Sequence, residues 1–235
     1  MLTNNKFLHV IAESFYDFLE SGTSRSTAKL KKLHGAIAQD LHKRLGNNYQ
    51  IWAQGYSFNK EANINGRYMS KKVDITIKKE NKAIAGIAVK FVMQNYSQNS
   101  NNYFENMLGE TANIRCNHIP YFQIFIILDK LPYYNKDGEI RKWELFTQHN
   151  ISKYEALSND EIETYYHTPN KTLIFVIHIP DNENLKTKKE YLSFYKETNF
   201  NIELSKNKYN DFGNSVILND YETFINKVFH TIMAL

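Results

Sequence analysis

One cysteine, Cys116, stands among 235 residues, so the chain forms no internal disulfide and offers no cysteine-based zinc site. Four prolines and nine glycines exclude the collagen-like and Pro/Gly-rich low-complexity classes. No apolar run approaches the ~20 residues needed to span a bilayer. The opening MLTNNKFLHVIAESF lacks the charged start, apolar centre and small-residue cleavage site of a signal peptide. A dominant charge is missing too: 29 Lys+Arg against 25 Asp+Glu leave +4, which permits a polyanionic partner without demanding one. These absences lead to the expectation of a compact cytoplasmic protein. What is present is globular in kind, with 42% hydrophobic and 23% charged residues.

Apolar positions Phe7, Val10, Ile11, Phe15, Phe18 and Leu19 recur at helical spacing and predict a helix over 5–21. Leu30, Leu33, Ile37, Leu41 and Leu45 predict another over 26–45, stopped by Gly46-Asn47. The basic residues Lys29, Lys31, Lys32, Lys43 and Arg44 fall in this helix, either as a phosphate-facing patch or as a solvated face. Strands are expected at 49–56, 72–78 and 83–92, the last two joined by a tight turn as a hairpin, with a polar connection at 57–70. A helix is expected over 100–115. FQIFIIL at 122–128 and LIFVIHI at 173–179 are continuous apolar runs of the kind buried on both faces. Helical patterns return at 185–197 and 220–234, and the long polar stretch 130–170 is a candidate recognition segment. Helices before, between and after strands argue for one α/β domain spanning 1–235, a mixed central sheet flanked by helices.

The sharpest local clue is strand parity. In VDITI, Asp74 and Thr76 point opposite to Val73, Ile75 and Ile77; in GIAVKF, Gly86, Ala88 and Lys90 point opposite to Ile87, Val89 and Phe91. Pairing the two strands brings Asp74 and Lys90 onto one face, kept open by Gly86 and Ala88. A carboxylate and an amine so placed can hold a metal ion and a phosphate together, or form an ordinary cross-strand ion pair.

With KKVDITI followed by Ala-Val-Lys at 88–90, the chain resembles the PD-(D/E)xK nuclease superfamily, and the text from Lys90 to Arg115, KFVMQNYSQNSNNYFENMLGETANIR, is similar to part of a type II restriction endonuclease. The likeness covers about a fifth of the chain, Glu61 to Glu110, with a short, degenerate motif. It implies a restriction-endonuclease-like fold with its active hairpin at 71–92. It also implies Mg²⁺-dependent, sequence-specific hydrolysis of double-stranded DNA by a homodimer, and a cognate DNA methyltransferase for self-protection. Asp74 would ligate the metal, and Lys90 would orient the attacking water and stabilise charge on the phosphate.

Two departures stand out. Val73 replaces the motif's proline, and Ala88 occupies the position of the expected second acid, a metal ligand in the pattern. Three accounts of Ala88 compete: an acid that has moved to the following helix, where Glu105 is favoured over Glu110; a substituted carboxylate; or a catalytically dead DNA-binding protein. Glu61, upstream of Asp74, is a candidate further acid, and Glu13 a weaker one. Gln94, Asn95, Gln98, Asn99, Asn101 and Asn102 suit base edges or phosphates, with Lys31 and Lys32 on the backbone; Asn99 or Ser100 also suits a helix cap. A structure-specific repair nuclease is the nearest rival. Phosphate-binding glycine loops and HExxH are absent, and His149-Asn150 with His167 lacks the context of a histidine nuclease.

Overall fold

The computed structural model describes residues 1–22 and 30–235. Helix α1 (Asn4–Ser21) starts at Thr3, whose hydroxyl accepts from the Lys6 N–H, and stops at Gly22 in a left-handed conformation. Helix α2 (Lys31–Leu45) follows; the first part of the expected 26–45 helix, with Lys29, lies outside the described residues. Then come β1 (Tyr49–Ala53), β2 (Ala62–Asn65), β3 (Ser70–Val73), β4 (Ile75–Lys79), β5 (Lys82–Val92), α3 (Tyr96–Arg115) and β6 (Tyr121–Leu128). The chain continues through β7 (Lys130–Tyr134), β8 (Ile140–Leu145), α4 (Gln148–Ser158), β9 (Lys171–His178), α5 (Lys188–Glu197), β10 (Glu203–Leu204), β11 (Val216–Leu218) and α6 (Tyr221–Met233). No helix among the described residues is long and apolar enough to cross a membrane.

The result is a single α/β domain. Its seven-stranded mixed sheet has the order β1-β4-β5-β6-β9-β10, with β11 pairing β9. β1, β4 and β5 are antiparallel neighbours, whereas β5, β6 and β9 run parallel. β6 is buried at every position because helices cover both faces: its Phe122 meets Phe224 of α6, while its Phe125 meets Tyr96 of α3 and Tyr154 of α4. On the first of these faces Phe7 of α1 stacks on Tyr221 of α6 at 4.1 Å between ring centroids.

Three departures from the sequence-based expectation matter for the site. The connection at 57–70 contains β2 and the start of β3, a separate two-stranded ladder laid over β4 and β5. Its pattern is weak because β2 carries one large apolar residue, Ile64, between Asn63 and Asn65. The expected strand at 72–78 breaks at Asp74, where the chain leaves this ladder and joins the main sheet. Helix α3 begins at Tyr96 rather than at residue 100. Its N-cap is Asn95 in a left-handed conformation, so neither Asn99 nor Ser100 caps it. The stretch 130–170 is the β7–β8 hairpin plus α4, held to α3 by Glu144, which accepts from the Ser97 N–H at 3.2 Å.

A close backbone contact sets α2 against the turn after β1. A Cβ on Gly35 would fall 2.5 Å from the Gly55 carbonyl oxygen, and Gly55 itself has φ +77° with its own Cβ position blocked by the Lys31 carbonyl. Tyr56 hydroxyl and His42 Nδ1 are hydrogen-bonded at 2.6 Å across the same junction. Gly35→Ala is therefore expected to destabilise the fold by about 1–3 kcal/mol in urea unfolding, as overpacking does. An unchanged midpoint and slope would contradict this packing.

Candidate functional site

Asp74 sits at the break between β3 and β4, and one oxygen of its carboxylate accepts from the Val89 N–H at 2.7 Å. Burial pushes its pKa up to about 6; the Val89 N–H works against that shift, nearby Glu110 adds to it, and Lys90 and Lys71 oppose it. Ile75 pairs with Ile87 and Thr76 with Gly86, so the antiparallel register continues Asp74 to a place opposite Ala88.

Two further groups reach Asp74 from other elements. His34 of α2 and Glu61, just ahead of β2, have ligand atoms that lie with those of Asp74 all within 4.8 Å of one another. Gln54 Nε2 donates to Glu61 Oε1 at 2.7 Å and holds it there. His34 is 2% exposed, and neither ring nitrogen has a hydrogen-bond partner. Burial lowers its pKa to about 4, against the pull of Glu61, so the imidazole is neutral at ordinary pH with a lone pair to offer. A buried imidazole left unsatisfied beside two carboxylates is a fitting donor set for a divalent cation.

Asp74 also lines a cavity of about 210 Å³, together with Ala88, Lys90, Tyr103, Glu110 and Gln123 among others. Lys90 Nζ lies 4.2 Å from the centroid of the Tyr103 ring, and partial burial lowers its pKa. Glu110 is ion-paired with Lys71 at 2.5 Å and accepts from Tyr121 Oη at 3.4 Å. Gln123 of β6 stands in parallel register with Ala88, and its Nε2 is buried without a partner. The cavity therefore combines carboxylates with an amine and a spare amide donor, a set suited to an anionic substrate beside a metal.

The structure brings Asp74, Lys90, Ala88 and Glu61 into one region and leaves Glu105 out of it. Glu110, not Glu105, lines the cavity; Glu105 is exposed on α3. The reason is visible on the helix: Met107, Thr111 and Ile114 are buried, and Glu110 shares their stripe. Glu13 is exposed on α1 beside His9. Among the amides, Asn95 is committed to the fold, accepting from the Tyr134 N–H at 2.9 Å and donating to the Tyr134 carbonyl at 3.0 Å. Gln94 and Asn99 are half-buried, whereas Gln98, Asn101 and Asn102 are exposed on the first turns of α3. Lys31 is exposed, but Lys32 is paired with Asp17 at 3.0 Å and Arg44 with Asp40 at 3.1 Å, so much of the basic face of α2 is engaged within the protein.

His34 escaped the sequence reading. Its one signal is a histidine next to Leu33 in an apolar helical stripe, and its meaning depends on Glu61, 27 positions further along the chain.

In metal-free protein, the unfolded chain loses the Asp74 proton near 3.8 while the fold keeps it to about 6. Stability from this group is full below the first value and is lost as pH rises to the second. Asp74→Asn in EDTA should therefore raise the Tm at about pH 7.5 and change it little near pH 4, and Mn²⁺ at the higher pH should stabilise the natural chain but not the variant. A variant that melts lower than the natural chain at about pH 7.5 would contradict the buried-carboxylate account. No family model matches the chain, and no curated protein or solved structure is significantly similar to it, so the chemistry of the site alone carries its reading.

Proposed function

We propose that the protein is a type II restriction endonuclease of the PD-(D/E)xK superfamily, acting as a homodimer on double-stranded DNA in the cytoplasm beside a cognate methyltransferase. The observation that carries this reading is the convergence of Asp74, at the break before β4, and Lys90, from antiparallel β5, with Glu110 and Gln123 in one cavity. The break at Asp74 and the crossing from β5 through α3 to parallel β6 agree with a restriction-endonuclease-like fold.

Asp74, Glu61 and His34 would hold the cation, Mg²⁺ or Mn²⁺; the imidazole nitrogen favours the latter over an all-oxygen cage. A bound divalent cation supplies Lewis-acid stabilisation of charge on the phosphate. Lys90 donates to a phosphate oxygen, its Nζ placed over Tyr103. Gln123 Nε2, otherwise unsatisfied, offers a second donor to the same group. Glu110 reaches the cavity from α3 and supplies there an acid that Ala88 does not. Lys71 pairs with Glu110 and, with Lys90, opposes the rise of the Asp74 pKa.

Ala88 itself favours a second reading, a DNA-binding protein of the same fold that no longer cuts. Unmethylated phage DNA with Mn²⁺ or Mg²⁺ separates the two. The nuclease reading predicts discrete fragments, with rates reduced at least about a hundredfold by Asp74→Asn or Lys90→Ala and by Glu110→Gln. Fragments produced only after Ala88→Glu would place the missing acid at 88 in an inactivated nuclease, and intact DNA from both chains despite metal-independent binding would favour the second reading. Intact DNA from every variant, with no salt-dependent binding, would overturn both.

A further inference from the structure

The tip of the β2–β3 hairpin exposes large apolar side chains where a solubilising turn would carry none. Tyr68 is 79% exposed and Met69 65%. Their backbone is nevertheless held tightly. Asn113 of α3 accepts from the Tyr68 and Met69 N–H groups at 2.9 and 3.2 Å, donates to the Met69 carbonyl at 2.9 Å, and takes the Arg67 N–H on its own carbonyl at 2.6 Å. A Cβ at Gly66 would meet Asn113 Nδ2 at 2.2 Å, so any other residue here would displace the amide that holds the tip. A tip fixed by four hydrogen bonds and still presenting Tyr and Met to solvent is preorganised for something outside the fold.

The surroundings say what. Arg67 and Lys72 flank the two apolar residues, are exposed, and pair with no carboxylate among the described residues. Lys71, between them in sequence, turns inward to Glu110 of the cavity. β3 then runs directly into Asp74, so Tyr68 lies no more than about 20 Å from the candidate metal cluster, about six base steps along a strand. Unpaired cations around an aromatic and a thioether match a nucleic acid, whose phosphates and base faces call for that mixture; a protein partner for an apolar knob would not need the cations.

We propose that this tip is a nucleic-acid wedge: Tyr68 and Met69 enter a groove and stack against unstacked bases, while Arg67 and Lys72 hold the flanking phosphates. The proposal rests on the nuclease reading for its ligand but on different residues for its evidence. The wedge unwinds the duplex it enters, and it positions the strand whose phosphate lies in the Asp74–Lys90 cavity.

The test uses the full chain with Ca²⁺ replacing Mg²⁺, and compares it with Tyr68→Ala/Met69→Ser, Tyr68→Phe and Arg67→Ala/Lys72→Ala. Fluorescence anisotropy on a mixed-sequence duplex gives affinity, and religation of a nicked plasmid in the presence of protein gives the change in linking number. The wedge predicts a linking-number change for the natural chain and for Tyr68→Phe. It predicts none for Tyr68→Ala/Met69→Ser, which should bind at least about tenfold more weakly, as loss of one base–aromatic stack does, with an unchanged Tm. Arg67→Ala/Lys72→Ala should lower the salt slope of binding by about two. If the double tip variant binds and unwinds like the natural chain, the wedge is overturned and the nuclease reading stands. If the natural chain binds no DNA, both fall. Loss of a dimer with unaltered DNA affinity would assign the tip to a second copy of the chain and overturn the wedge.

Discussion

A carboxylate held below the surface by a single backbone N–H organises this end of the molecule. Asp74 accepts from Val89 where the chain passes from the small β2–β3 ladder into the main sheet. That hydrogen bond ties Asp74 to β5 beside Ala88 and one residue from Lys90, in line with the register of β4 on β5. It also leaves the other carboxylate oxygen for a ligand. Burial makes the arrangement costly to the empty protein, because a carboxylate with a pKa near 6 is ionised at neutral pH in a site that resists charge. Carboxylates shifted in this way cluster at functional sites.

The groups around Asp74 fall into two sets with opposite needs. Glu61 and His34 offer lone pairs to a cation; Lys90 and Gln123 offer N–H groups to an anion, and Gln123 Nε2 is buried with no hydrogen-bond partner among the described residues. Neither set is satisfied by the protein alone. Lys71 compensates Glu110, one of the two carboxylates that line the cavity. A metal and a phosphate would complete both sets at once, which is the physical content of the proposed nuclease. The same logic explains why Ala88 need not be fatal to it, since Glu110 enters from α3 into the space that a longer side chain at 88 would otherwise reach.

Much of this was visible in the residue order. The runs at 122–128 and 173–179 are the two strands covered by helices on both faces, and continuous hydrophobicity is the direct mark of that burial. Alternation in GIAVKF puts Ala88 and Lys90 on one face, and both line the cavity with Asp74. In VDITI the alternation is interrupted, because the chain changes ladders at Asp74 and Val73 packs with Ile64 and Ala88 rather than with Ile75 and Ile77. What escaped depends on contacts between distant segments. His34 reads as one more core position until the Gly35–Gly55 approach carries the β1–β2 connection, and Glu61 with it, across α2. Helical spacing puts Glu105 and Glu110 on different sides of α3 and does not say which side meets the sheet; the contacts of Met107, Thr111 and Ile114 turn the Glu110 side to the cavity. Asn95 reads as a base-reading amide but is bound to the Tyr134 backbone, a partner 39 residues away.

The most direct test of the account is a crystal of the protein soaked in Mn²⁺, with diffraction collected for anomalous signal. A peak among His34, Glu61 and Asp74, lost in crystals of His34→Phe, is the predicted result. A manganese peak elsewhere with that cluster empty, or none at all, would contradict the claim that Asp74 anchors a metal centre.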